Sequence, residues 1–158
     1  MSRSQTLADL SAMATEAAAM RYPAAARHGA LVPRKYTDRT ANGLTKCVID
    51  FLKLSGWQAE RVSVTGRPVD QSRIVTDVVG TARRIGSVKW IPGTMTAGSA
   101  DISATIRGRS VKIEVKIGRD RQSEAQKKYQ ADIVKAGGAY IIVSNFDEFL
   151  SWYNGFLN

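Results

Sequence analysis

The sequence predicts an α/β domain built around one mixed sheet. Three observations carry that expectation. Residues 100–106 and 111–117 each alternate apolar and polar side chains, the period of a half-buried strand. Leu44, Cys47, Val48, Phe51 and Leu52 recur at helical spacing and give a broad apolar face. Ser123-Glu124-Ala125-Gln126 has the form of a capping box, and the helix it opens runs to Gly137-Gly138 before an apolar run from Ala139 to Ser144. Helix, strands, helix, strand, helix is the order of an α/β layer architecture. A chain of 158 residues is long enough to bury one core.

Residues 1 to about 22 form a first helix, with Leu7, Leu10, Met13, Ala17 and Met20 at helical spacing in an alanine-rich background. Pro23 and then Arg27-His28-Gly29 close it. It either packs on the body or makes an oligomer contact. Residues 29–41 are irregular, and their Arg34-Lys35-Tyr36-Thr37-Asp38-Arg39 cluster serves as a solvated linker or a backbone contact to nucleic acid. The second helix spans about Gly43 to Ser55, with Asn42 available as N-cap and Gly56 as C-terminal cap. A strand follows over Trp57–Thr65, and Gly66-Arg67-Pro68 turns the chain. Arg73–Val79 and Val88–Ile91 suit two strands of a hairpin arm, with a basic tip at Gly80–Gly86. Pro92-Gly93 ends the arm, and Thr94–Ser99 suits a flexible loop. After the two alternating strands, the capping-box helix packs Ala125, Tyr129, Ile133 and Ala136. Asn145-Phe146-Asp147-Glu148 resembles a second capping box and starts a final helix with Phe149, Trp152, Tyr153 and Phe156.

Composition narrows the function classes. No apolar run approaches the roughly 20 residues of a membrane span. The first twenty residues hold Asp9 and Glu16 and no apolar h-region, so no secretory leader is expected. The single cysteine, Cys47, excludes an internal disulfide, fits a cytoplasmic setting and falls on the apolar side of its helix. The single histidine, His28, has no metal-ligating companion and no triad partner. The net charge of +9 points to a polyanionic partner, most simply nucleic acid, whose phosphates reward Lys and Arg through counterion release.

The two alternating strands place chemistry on one face. Asp101, Ser103 and Thr105 share the polar side of the first, and Lys112, Glu114 and Lys116 the polar side of the second. With Gly108-Arg109 as the two turn residues, Asp101 faces Lys116 and Ser103 faces Glu114. Asp101 and Glu114 are then diagonal neighbours, roughly 5–8 Å apart at Cβ. A four-residue loop keeps this parity, whereas a three-residue loop without a bulge breaks it. Two neighbouring carboxylates repel unless a proton or cation intervenes. Mg²⁺ takes hard oxygen ligands, keeps several waters, and lowers the pKa of a bound water into nucleophile range. The Val115 carbonyl is placed to be a further ligand. Lys116 can orient or help deprotonate the water and offset charge on phosphate. An ordinary solvated sheet face gives the same pattern.

Asp101, about a dozen residues, then Glu114-Val115-Lys116 resembles the signature of the PD-(D/E)XK nuclease superfamily. Gly98-Ser99-Ala100-Asp101-Ile102 is similar to the Gly-x-x-Asp lead-in of its VRR-NUC and Holliday-junction-resolvase-like branches. Ser123-x-x-Gln126 stands where those branches carry a glutamine-bearing helix, and Gly137-Gly138 resembles their exit to the next strand. Leu44 to Trp57 resembles their opening helix. The similarity covers about residues 98–144 well, 42–66 more loosely and 1–40 not at all. It implies a restriction-endonuclease-like core over 41–158, a central mixed four-stranded sheet flanked by helices. Residues 1–40 are then an N-terminal helix and linker, and the basic hairpin arm is an addition. The family's first helix often carries a glutamate facing the metal. Here Asn42, Gly43 and Thr45 stand at the comparable positions, so the site has two carboxylates unless Asp50 or Glu60 substitutes, and the number of ions stays open. Ala100 stands where the family name has proline.

The resemblance implies a Mg²⁺- or Mn²⁺-dependent endonuclease acting on duplex or branched DNA, of a phage or mobile-element kind. Asp101, Glu114 and the Val115 carbonyl would hold metal, with Lys116 and Gln126 as catalytic partners. Gln126 is also the reciprocal half of a capping box. Arg107, Arg109, Lys112, Arg119, Arg121, Lys127 and Lys128 would track phosphates, and Arg83 and Arg84 would grip a flanking duplex. No helix reads as a base-recognition element, so binding is expected to be structure-selective or weakly sequence-specific. A junction-resolving enzyme would need two sites and hence a homodimer. The alternatives are a non-catalytic DNA-binding module on the same fold and an α/β protein without a nucleic-acid partner.

Overall fold

A computed structural model of the chain describes residues 3–63, 66–91, 93 and 96–158. The element order is α1 (Arg3–Arg21), α2 (Pro23–Arg27), α3 (Ala41–Leu54), β1 (Gln58–Arg61), β2 (Arg67–Asp70), β3 (Arg73–Thr76), β4 (Ala82–Ile85), β5 (Val88–Ile91), β6 (Ile102–Ile106), β7 (Arg109–Val115), α4 (Glu124–Lys135), β8 (Ala139–Val143) and α5 (Phe146–Leu157). The central sheet has the order β1-β6-β7-β8. β1, β6 and β7 form an antiparallel meander, and β8 joins β7 in parallel after the α4 crossover. The expected mixed four-stranded α/β sheet is present.

The apolar side of the strand alternation makes the core. Ile102, Ala104, Ile106, Val111, Ile113, Val115 and Val143 are buried with Leu44, Cys47, Val48 and Leu52 of α3 and Phe146, Phe149 and Tyr153 of α5. Phe51 meets Phe146, Phe149 and Tyr153 edge to face at 5.0–5.9 Å. α1 packs on this layer through the fully buried Leu10, and the Thr6 hydroxyl donates to Asp147 at 2.6 Å. Its role in this structure is packing on the body. Burial pushes the Cys47 thiol up to about 11, as suits a core side chain and not a nucleophile. Among the described residues no helix is long and apolar enough to cross a membrane.

Several boundaries differ from expectation. The N-cap of α3 is Thr40, whose side chain accepts from Gly43 N at 3.1 Å. Asn42 lies inside the helix and accepts from Arg61 instead. Pro23 opens a short helix of its own, since a first-turn proline loses no helical hydrogen bond. Glu148 does not cap Asn145 reciprocally; its Oε2 accepts from Ser144 N and Oγ at 2.7 Å, while Asn145 alone caps α5. None of the α4 residues is buried, so Ala125 is exposed and Tyr129 and Ile133 are half-buried on a peripheral helix.

The arm also differs. Gly66-Arg67-Pro68 is not a turn, because Arg67 and Pro68 begin β2, which pairs with β5. Pro68 is tolerated because a two-stranded ribbon has only edges. Its tip is Asp77–Thr81, closed by Asp77 N donating to Thr81 O, so Arg83 and Arg84 stand on β4 and the tip is not basic. The expected arm end at Pro92 and the expected strand and loop positions Val64, Thr65, Thr94 and Met95 lie outside the described residues.

Candidate metal and phosphate site

The β6–β7 hairpin closes through Arg107 and Gly108, with φ of 50° and 74°. Two positive φ values with glycine second define a type I′ turn, whose twist matches the flanking strands. Ile106 therefore faces Arg109, and Ile102 faces Ile113. Extending that register by one pair sets Asp101 opposite Glu114. The expected pairing of Asp101 with Lys116 is displaced by two residues, because the turn is Arg107-Gly108 and not Gly108-Arg109. The displacement is even, so all three charged groups keep one face, opposite the apolar core. The two carboxylates are near enough that the Asp101 charge acts on Glu114.

Glu114 is only 2% exposed. Its Oε1 accepts from Gln126 Nε2 at 2.5 Å and pairs with Lys116 Nζ at 3.1 Å. Its Oε2 is buried with no hydrogen-bond partner among the described residues. Burial, and then the Asp101 charge, raise the Glu114 carboxyl above its ordinary pKa, against the opposing pull of Lys116. Asp101 Oδ2 accepts from Val115 N at 3.0 Å. In an extended strand a residue's N–H and C=O point the same way, which turns the Val115 carbonyl toward Asp101. Lys116 Nζ also binds Asp120 at 3.2 Å. Burial disfavours the Lys116 ammonium, yet its bonds to Glu114 and Asp120 outweigh burial and leave its pKa raised, so it stays a cation.

Gln126 does two jobs with one amide. Its Oε1 accepts from Ser123 N at 2.9 Å while Ser123 Oγ accepts from Gln126 N, completing the capping box. Its Nε2 holds Glu114. Gln126→Ala is expected to lower stability by about 1 kcal/mol through the cap and any cleavage activity by about 10–100-fold through the freed carboxylate. Urea melts and cleavage rates of the purified variant check both.

The remaining predicted residues divide. Asp50 is bound to Arg34 and Tyr36, each at 2.8 Å, and does not join the site. Glu60 faces Ser103 on the site's side of the sheet, one row from Asp101, and is exposed. Among the described residues no group of three or more His, Cys, Asp or Glu side chains is placed to hold a metal ion. Arg107 and Arg109 stand at the hairpin tip, remote from the trio. Arg107 donates to the Leu157 carbonyl, and Arg109 lies 4.7 Å over the Phe156 ring. Lys112 reaches the Ser103 hydroxyl at 2.6 Å on the site's face. Lys127 and Lys128 pair within α4 with Glu124 and Asp132. Arg119 and Arg121 are exposed on the loop leaving β7, beside the trio.

Sequence reasoning missed Tyr140 and Asp120. Tyr140 faces Lys112 across the parallel pair and stands close enough to feel the charges of Glu114 and Asp101. Burial first, with those charges adding, pushes its hydroxyl to about 12 despite a bond from Gln122. A lone hydroxyl-bearing residue in the apolar run 139–143 was the available signal. For Asp120 it was the four-residue spacing from Lys116 across Gly118. Compared with known protein families and with characterised proteins, the chain matches none.

Proposed function

We propose that the protein is a divalent-metal-dependent DNA endonuclease, and that Asp101, Glu114 and Lys116 form its reacting centre. The observation that carries this reading is a buried Glu114 carboxylate that feels the Asp101 charge and whose Oε2 has no hydrogen-bond partner among the described residues. A carboxylate oxygen buried without a partner costs about 1–3 kcal/mol or more, so it fits a site that a cation completes. The donor set suits a hard ion: two carboxylates and the Val115 carbonyl would hold one Mg²⁺ or Mn²⁺. When bound, such an ion supplies an activated water and charge neutralisation at phosphate. Lys116 contributes a fixed positive charge toward the phosphoryl oxygens. Its raised pKa argues for that role and against deprotonating water. Gln126 fixes the orientation of Glu114. Arg119 and Arg121 offer phosphate contacts beside the centre.

A second reading is a non-catalytic DNA-binding module on this fold. The observation favouring it is Lys116 held between Glu114 and Asp120. A panel of labelled duplex, flap, splayed and four-way DNAs with Mg²⁺ and with Mn²⁺ separates the two. The nuclease reading expects metal-dependent cleavage of at least one substrate, reduced about 100-fold in Lys116→Ala at near-unchanged DNA affinity. Retained DNA with no cleavage of any substrate in either metal would leave the binding module.

A further inference from the structure

The arm over residues 67–91 is the largest feature the reacting centre does not use. Its two halves share one register: Arg67 faces Ile91, Val69 faces Lys89, Arg73 faces Ile85 and Val75 faces Arg83. Gln71 N donates to Ser87 O at 3.2 Å across the junction, so the four strands make one continuous two-stranded ribbon. Ten residues per side at about 3.4 Å each give a length of roughly 30 Å. Facing residues project from the same side. One face thus carries Arg67, Arg73, Arg83 and Lys89 among Val69, Val75, Ile85 and Ile91. The other carries Asp70, Ile74, Arg84, Val88 and Trp90.

The two faces differ in charge. On the second, Arg84 is bound by the Asp70 carboxylate and by Ser72 Oγ. On the first, Arg67, Arg73 and Lys89 have no ion pair among the described residues, and Arg83 approaches only Asp77, at 3.8 Å. Asp77 is itself committed to the tip, where Oδ1 accepts from Val79 and Thr81 N. All but Val69 of the strand residues are exposed, including Ile74 at 74% and Trp90 at 59%. A lone two-stranded ribbon is marginally stable in water, so this one is built for a partner. Four like charges on one face oppose pairing with a second copy and favour a polyanion. The B-DNA major groove, about 12 Å wide, admits a two-stranded ribbon. One turn of that groove, about 34 Å, matches the ribbon's length.

We propose that this ribbon is a groove-binding arm for duplex DNA, and that its Arg67/Arg73/Arg83/Lys89 face contacts the DNA while the Arg84 face is turned away. The inference rests on the DNA reading above and adds the form of DNA and the face that meets it. The test is fluorescence anisotropy of a labelled duplex of about 30 base pairs, in EDTA, across a salt series. It compares the full chain with the combined variant Arg73→Ser, Arg83→Ser, Lys89→Ser and with Arg84→Ser. The combined variant is expected to lose at least about tenfold in affinity and to lower the salt slope by about 2–3, at close to 0.9 per lost phosphate contact. Arg84→Ser is expected to stay within about twofold, because its guanidinium is already paired. An unchanged thermal transition in the combined variant shows that the core is intact.

If the unaltered protein shows no salt-dependent duplex binding, the DNA reading itself fails and the arm assignment falls with it. If the unaltered protein binds but the combined variant binds equally, or Arg84→Ser loses as much, the arm assignment alone is overturned. Equal, face-dependent binding of duplex RNA also overturns it, because the A-form major groove is too narrow for a ribbon. A dimer in sedimentation that the combined variant converts to monomer at unchanged DNA affinity would give the arm to a second copy instead.

Discussion

Glu114→Gln is expected to reduce metal-dependent DNA cleavage by at least about a thousandfold while the protein stays folded. The substitution keeps shape and keeps an oxygen for Gln126 and Lys116, but removes the negative charge that would hold the cation opposite Asp101. The same change is expected to stabilise the metal-free protein at neutral pH. The folded-state pKa of Glu114 is raised, so between its ordinary value of 4.5 and the raised value the native state holds more protons than the unfolded chain. Native stability then falls as pH rises through that window. Glutamine removes that fall. Thermal melts in EDTA from pH 4 to 8 check it: the unaltered protein should lose stability with rising pH relative to Glu114→Gln. Full cleavage by the variant, or parallel stability curves, would refute the role given to this carboxylate.

This pairing of lost activity with gained stability would mark Glu114 as a functional group and not a structural one. A structural ion pair behaves the other way, since removing one partner of a buried pair strands the second charge at a cost of about 3–5 kcal/mol. Lys116 is protected from that fate by Asp120, which keeps a carboxylate within 3.2 Å when Glu114 is neutral. Asp120 therefore makes the Glu114→Gln experiment interpretable.

The elements that hold the site were legible because each carries a local signal. The strand alternation over 100–106 and 111–117 fixed which side chains share a face, and that parity survived an error in the turn. The error had a specific source. Arg107 adopts a positive φ, a conformation that favours glycine, and its guanidinium is tied to the Leu157 carbonyl of α5. That contact joins residues fifty apart and leaves no local trace. For the same reason Arg107 and Arg109 read as phosphate contacts, although tertiary packing holds them against α5. The capping box was legible in four residues; its link to Glu114 needed the register of β7 against α4. The arm was misread because Gly66 and Pro68 are turn residues in most settings. A ribbon with two free edges tolerates a proline that a central strand would reject.

Gly98→Ala is expected to damage stability and the proposed centre together. Gly98 has φ of +81°, a conformation that costs other residues about 1–2 kcal/mol. A Cβ there would also lie 2.4 Å from both the carbonyl carbon and oxygen of Ala125 and 2.7 Å from Gln126 N. Those atoms are backbone of the first turn of α4, so no side chain can swing away. Either the 96–100 loop or the start of α4 must move, adding about 1–3 kcal/mol of overpacking. The two terms give an expected loss of about 2–5 kcal/mol. Both movements reach the proposed centre, because the loop delivers Asp101 and the helix start delivers Gln126. Cleavage should therefore fall further than the loss of folded protein explains, when measured well below the melting transition. Gly118→Ala is the matched comparison: it has φ of +65°, but its Cβ meets no atom within 4 Å. It should cost only the conformational part, about 1–2 kcal/mol. Equal losses in the two variants would mean that the contact between Gly98 and α4 does not hold the centre together. A larger loss at Gly98, with activity falling ahead of stability, would establish that glycine as the point where the loop carrying Asp101 and the glutamine-bearing helix are locked together.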